Sequence, residues 1–153
     1  MLDGRTRADF RALRETVGMS QTAMSDRLGV AVRSVRRWEE LDTDGWQEPP
    51  QDAWDVLDEA RALQRHVVAY AVRRVLSARE EMGAAPERVE LAYWPDALTY
   101  DERHDADGID DWRMANANAR LVGVELARRG FQVTYRFPGE GEASDAAIDA
   151  SEE

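Results

Sequence analysis

Cysteine and lysine are both absent, and histidine occurs only twice. Without cysteine there are no disulfides and no thiolate metal sites, and the redox compartment is left unmarked. The two histidines, His66 and His104, stand far apart and neither falls at a metal-ligand spacing, so no metal and no cofactor is expected. There is also no Gly-rich phosphate loop, no Ser-His-Asp arrangement and no pair of carboxylates in an apolar setting. No catalytic residues are therefore expected, and the chain does not read as an enzyme. Long apolar runs are missing too. The most apolar stretch, Val67 to Leu76, is short and carries Arg73 and Arg74, which is incompatible with a bilayer span. At the start, Arg5, Arg7, Asp9 and Arg11 break up any secretory leader. The expectation is a cytoplasmic protein with no membrane partner.

What is present is a globular composition, 43% hydrophobic over 153 residues, with a net charge of −11. That charge is unevenly spread. Residues 1–41 hold eight arginines and six acids, and residues 42–83 hold five arginines and nine acids. Residues 84–137 hold seven arginines and ten acids, and residues 138–153 hold six acids and no base. Only the first segment is net positive, so only it is attracted to phosphate.

Thr6, with Asp9 three residues on, reads as a capping box opening a helix through about Val17, with Phe10, Leu13 and Val17 as its apolar stripe. Gly18 stops it. Ser20 caps a short helix from Gln21 to Leu28 that ends at Gly29, and a third runs from Val32 to about Leu41. The acidic, turn-rich stretch from Asp42 to Pro50 predicts a loop. Pro49 and Pro50 suit the first turn of a long helix reaching about Met82. Trp54, Leu57, Ala60, Leu63, Val67, Ala71, Val75, Ala78 and Met82 hold a helical spacing along it. Val89, Leu91 and Tyr93 alternate with Glu90, Ala92 and Trp94, which predicts a strand closed by Pro95. A polar loop over residues 96–110 then leads, with Asp110 as cap, to a helix from about Asp111 to Arg129. One stripe on that helix holds Trp112, Ala115, Ala119, Val122 and Leu126; a second holds Met114, Leu121 and Val124. Gly130 ends it, and Phe131, Val133, Tyr135 and Phe137 mark a second strand. The acidic, Ala/Ser-rich end of the chain predicts a disordered tail.

These elements give a mainly α chain with a small β element, α+β in class. The domains expected are a headpiece over 1–48, a long linking helix over 49–83, a strand-helix-strand dimerisation unit over 84–137 and an acidic tail over 138–153.

Residues 20–39 read S-Q-T-A-M-S-D-R-L-G-V-A-V-R-S-V-R-R-W-E. Met24, Leu28 and Val30, with Val35 and Trp38, are spaced to pin two short helices together around a turn at Gly29, with the small Ser25 where the helices cross. The outward side of the second helix then carries Val32, Arg33, Ser34, Arg36 and Arg37. This pattern resembles the Cro/C1-type (XRE) helix-turn-helix family in its opening Ser-Gln, its Leu-Gly-Val turn and its closing Trp-Glu. The resemblance implies a helix-turn-helix bundle that reads double-stranded DNA through its second helix. Ser20 and Gln21 would hold a phosphate at a helix start. Arg33 would take guanine O6 and N7, Val32 would meet a thymine methyl, Arg37 would read a base, and Arg36 would reach a base or phosphate. Ala31 departs from the family, which favours Ser or Thr as the cap there, at a cost of roughly 1 kcal/mol. Trp38 and Trp54 are expected in the core.

The second half resembles the anti-CRISPR-associated regulators in its long helix after Pro49-Pro50, its strand Val89–Tyr93, and Gly108-Ile-Asp-Asp-Trp-Arg opening a helix before a final strand. This implies a homodimeric autorepressor binding inverted repeats, and for some members RNA as well. A sheet of two short strands is marginal alone, and pairing across a twofold axis would bury Val89, Leu91, Tyr93, Trp112, Leu121, Val124 and Tyr135. The carboxylate-rich loop 101–111 fails as a calcium loop, since Arg103 and Met114 stand where acids are needed. The alternative to a repressor is an antitoxin-like or protein-binding adaptor, in which the acidic half neutralises a basic protein partner and the headpiece serves autoregulation.

Overall fold

The computed structural model describes residues 4–41, 47–83, 88–104 and 111–140. The described chain is mainly helical, with one small sheet, and divides into two compact units, residues 1–73 and 74–153.

In the first unit, α1 (Arg7–Val17), α2 (Gln21–Leu28) and α3 (Val32–Glu39) follow one another across short turns. Each start reflects its cap. The Thr6 hydroxyl accepts from the Asp9 N–H at 3.0 Å, and the Asp9 carboxylate accepts from the Thr6 N–H at 2.8 Å. Donation from the Thr6 backbone holds the Asp9 carboxyl below its ordinary pKa. Ser20 accepts from the Ala23 N–H to start α2, and Ala31 offers no side-chain bond at the start of α3, as its residue type dictates. Gly29 ends α2 at φ 66°, a left-handed conformation that a side chain resists. α3 stops at Glu39, short of Leu41, because the backbone turns extended at Glu40 and Leu41 has no core to enter.

α4 (Gln51–Met82) begins in this unit and ends in the next. Pro50 precedes it rather than entering its first turn, its carbonyl accepting from the Ala53 and Trp54 N–H groups. The unit's core is aromatic. Phe10 meets Trp38 and Trp54 edge-to-face, with centroids 5.8 and 5.1 Å apart, and all three rings are buried. Met24, Val35 and Leu57 are fully buried with them, while Leu28 and Val30 are half-buried. Along α4 the buried line departs from the expected stripe. Leu63 is 44% exposed, and Gln64 is buried instead because its amide donates to the Thr16 carbonyl at 2.7 Å.

In the second unit, β1 (Arg88–Ala92), α5 (Ala97–Arg103), α6 (Trp112–Arg128) and β2 (Gln132–Arg136) follow the end of α4. The two strands pair with each other, in parallel, with Arg88 opposite Gln132 and Ala92 opposite Arg136. The expected 96–110 loop contains α5, so the layout is strand-helix-helix-strand. Asp96 caps α5 by accepting from Thr99, and Tyr100 anchors it under Trp94. Asp111, not Asp110, caps α6, accepting from the Arg113 N–H at 2.7 Å. α6 packs on both strands. The approach is tight at Gly123, where a Cβ would stand 2.1 Å from the Tyr135 hydroxyl and 3.0 Å from its ring carbon Cζ. Only glycine fits there without moving the ring. Asn116, buried, locks the chain leaving β1: its Oδ1 accepts from the Trp94 N–H and its Nδ2 donates to the Trp94 carbonyl.

The expected acidic tail falls outside the described residues except for its first three, 138–140, which form a turn. Among the described residues, no helix is long and apolar enough to cross a membrane.

Candidate nucleic-acid interface

α3 has two unlike sides. Val35 and Trp38 enter the core, and three and four residues apart on the other side lie Arg33, Arg36 and Arg37. Arg33 and Arg36 are exposed, and Arg37 is half-buried, as are Val32 and Ser34. No described residue forms a hydrogen bond or ion pair with any of the three guanidinium groups. Three unpartnered cations on one turn and a half of helix repel one another and attract an extended polyanion.

What holds α3 in place lies beneath it and was not apparent from the residue pattern. Arg14 of α1 is buried. Its Nε and Nη2 donate to the two Glu39 oxygens at 2.7 and 3.1 Å, and its Nη1 donates to the Met19 carbonyl at 2.9 Å. Gln21 Nε2 donates to the same Glu39 carboxylate at 2.6 Å. One carboxylate at the end of α3 thus ties α1 to the first residue of α2. A fork-to-fork Arg–carboxylate pair fixes orientation as well as distance, so it sets the angle at which α3 is presented. The signal was an arginine at i+4 from Phe10, on the apolar face of α1, where a merely solvated arginine does not belong.

The same network bears on two of the expected contact residues. Gln21 is half-buried, with one amide proton committed to Glu39. The Ser20 hydroxyl accepts from the Ala23 N–H, which leaves its own proton available. The start of α2 therefore keeps a hydroxyl donor and part of an amide for an anion, rather than two free side chains.

Away from α3, Arg5 lies in a groove with Leu13, Trp54 and Asp58. It donates to both Asp58 oxygens at 3.1 Å and covers the Trp54 ring at 4.6 Å. Its charge is thereby spent on a neighbour, in contrast with the α3 arginines.

The residues expected at a dimer contact lie in the second unit. Tyr93 and Tyr135 meet edge-to-face at 5.6 Å beside Gly123, and Arg120 donates to the Tyr93 hydroxyl at 2.7 Å. Val89, Leu91 and Tyr93 are half-buried on the α6 side of the sheet, Leu121 is half-buried, and Val124 is 66% exposed. Trp112 stands apart from this group. It opens α6 nine residues before Leu121, about 13.5 Å along the axis, and is covered by the Arg113 guanidinium at 4.6 Å.

No protein-family model and no curated protein matches the chain.

Proposed function

We propose that the chain is a sequence-specific, DNA-binding transcriptional regulator that works in the cytoplasm as a homodimeric repressor of an inverted-repeat operator. In this reading α2 and α3 form a helix-turn-helix of the Cro/C1 type, and repression is occlusion of a promoter without chemistry or cofactor. The observation that carries it is the outward side of α3, where Arg33, Arg36 and Arg37 have no partner among the described residues while Arg14, one layer below, is bonded to Glu39 and Met19. A helix of this width fits a major groove, where arginine is the commonest reader of guanine. Arg33, exposed in the first turn of α3, is assigned to guanine O6 and N7, and Val32 beside it to a thymine methyl. Arg36 and Arg37 take bases or phosphates, and Ser20 and Gln21 with the backbone at the start of α2 take phosphate.

A protein-binding adaptor remains the second reading, favoured by the apolar side chains that the second unit leaves exposed. The two readings part at Arg33. Arg33→Ala leaves the fold unchanged and lowers affinity for the preferred duplex about fivefold to 150-fold, the loss of about 1–3 kcal/mol that a bidentate guanine contact supplies. Fluorescence anisotropy measures it. An unchanged affinity contradicts the assignment, and no duplex binding at any salt concentration favours the adaptor.

A further inference from the structure

The two-stranded sheet has features that a finished sheet does not. Its strands are parallel, an arrangement found almost only in sheets covered on both faces. Here one face meets α6, while the other carries Arg88, Glu90, Thr134 and Arg136, with Arg136 paired to Glu90 at 3.0 Å in the open. Neither strand has a second described neighbour.

The ladder shows which backbone groups are left over. Tyr93 donates its N–H to the Arg136 carbonyl at 3.0 Å. In a parallel pair the residues of each strand alternate between pointing in and pointing out. The even-numbered residues of β2 therefore bond β1, and the odd-numbered ones point outward. Phe137 agrees: its N–H is taken by the Glu140 carboxylate at 3.1 Å, outside the ladder. No backbone hydrogen bond from a described residue reaches the outward groups of Val133 and Tyr135.

We propose that two copies of the chain join along this edge, β2 to β2, antiparallel about a twofold axis at Thr134, to make a four-stranded sheet of order β1-β2-β2-β1. The proposal rests on the homodimer reading above and names its contact.

A second copy fits the edge better than an unrelated strand does, because the edge is complementary to itself. With the axis at Thr134, Val133 faces Tyr135 of the other copy, and their outward N–H and C=O groups exchange two bonds at each end. β-Branched against aromatic is a favourable cross-strand pair, as is threonine against threonine. Gln132 faces Arg136, so no like charges are opposed. On β1 the outward groups belong to Arg88, Glu90 and Ala92: a twofold centred on Glu90 would set Glu90 against Glu90, and one centred on Leu91 would pair side chains that are already half-buried. Exposure follows the same side. Tyr135 is 46% and Phe137 45% exposed beside a half-buried Val133, whereas Val89 and Leu91 of β1 and Tyr93 just after it are all half-buried. The twofold also sets both copies of α6 on one side of the sheet, where the exposed Val124 gains an apolar neighbour.

The absence of cysteine makes the test direct. At the axis the two Thr134 residues form a non-hydrogen-bonded pair, with Cα atoms about 4.5 Å apart, inside the range a disulfide spans. Under oxidised glutathione, Thr134→Cys becomes a covalent dimer on a non-reducing gel, whereas Ala92→Cys, also exposed but on β1, stays single. In light scattering, Thr134→Lys halves the mass of the full-length chain while its circular dichroism is unchanged. An equal mixture of Thr134→Lys and Thr134→Glu restores the full mass. Linking at Ala92 but not at Thr134, or a Thr134→Lys chain that keeps the wild-type dimer mass, overturns the edge pairing and leaves the homodimer standing. A wild-type chain of single mass overturns both. DNA binding is read separately at Arg33, so failure here is not failure there.

Discussion

The two units handle charge and apolar surface in opposite ways. The first buries the ion pair of Arg14 with Glu39 and leaves the α3 arginines outside, without partners among the described residues. The second spends its charges on the surface, Glu125 with Arg128 and Arg129 and Glu90 with Arg136, and leaves Val124, Tyr135 and Phe137 exposed. Hydrogen bonds from Arg128 and Arg129 hold the Glu125 carboxyl below its ordinary pKa, yet exposed pairs of this kind stabilise a fold little. A face of arginines without partners among the described residues suits a polyanion; an exposed edge with Val133 and Tyr135, whose one arginine is paired to Glu90, suits another protein surface.

The largest effect is expected at Arg14. Replacing it with methionine leaves Glu39 buried with only Gln21 to bond it, and removal of one partner from a buried pair costs about 3–5 kcal/mol. A urea titration is expected to show that loss, and a cost near that of an exposed pair would mean that the network does not brace α3. In the second unit the corresponding substitution is Asn116→Ala. It orphans the Trp94 N–H and carbonyl, and about 1–3 kcal/mol is expected from one buried group left unsatisfied. Faster amide exchange at Trp94 would locate the damage, and unchanged exchange would contradict it. The smallest effect is a gain. Ala31→Ser supplies the missing cap of α3 and adds up to about 1 kcal/mol to the thermal stability. No gain would mean that the α3 start is already satisfied.

The same contrast explains what the sequence made legible. The helices of the first unit were readable because their stops and starts are local: Thr6 with Asp9, Ser20 with Ala23, Gly29 at φ 66°. The two strands were readable from alternation, but not their parallel pairing, which depends on residues more than forty positions apart. α5 was hidden in an acidic stretch, although Asp96 with Thr99 is a cap signal; seven residues with one buried ring give little periodicity. The polar residues that enter the interior, Arg14, Gln64 and Asn116, escaped an apolar pattern because each is buried through hydrogen bonds rather than hydrophobicity. At the candidate interface, the outward arginines were legible and the carboxylate that orients the helix beneath them was not.

If the proposed function is right, the outer side of α3 reads DNA sequence. Selection of bound duplexes from a random pool, sequenced after several rounds, tests it most directly. A strongly enriched palindrome is expected, with a half-site guanine that is no longer selected when Arg33 is alanine. A pool that stays random after selection with the wild-type chain would contradict it.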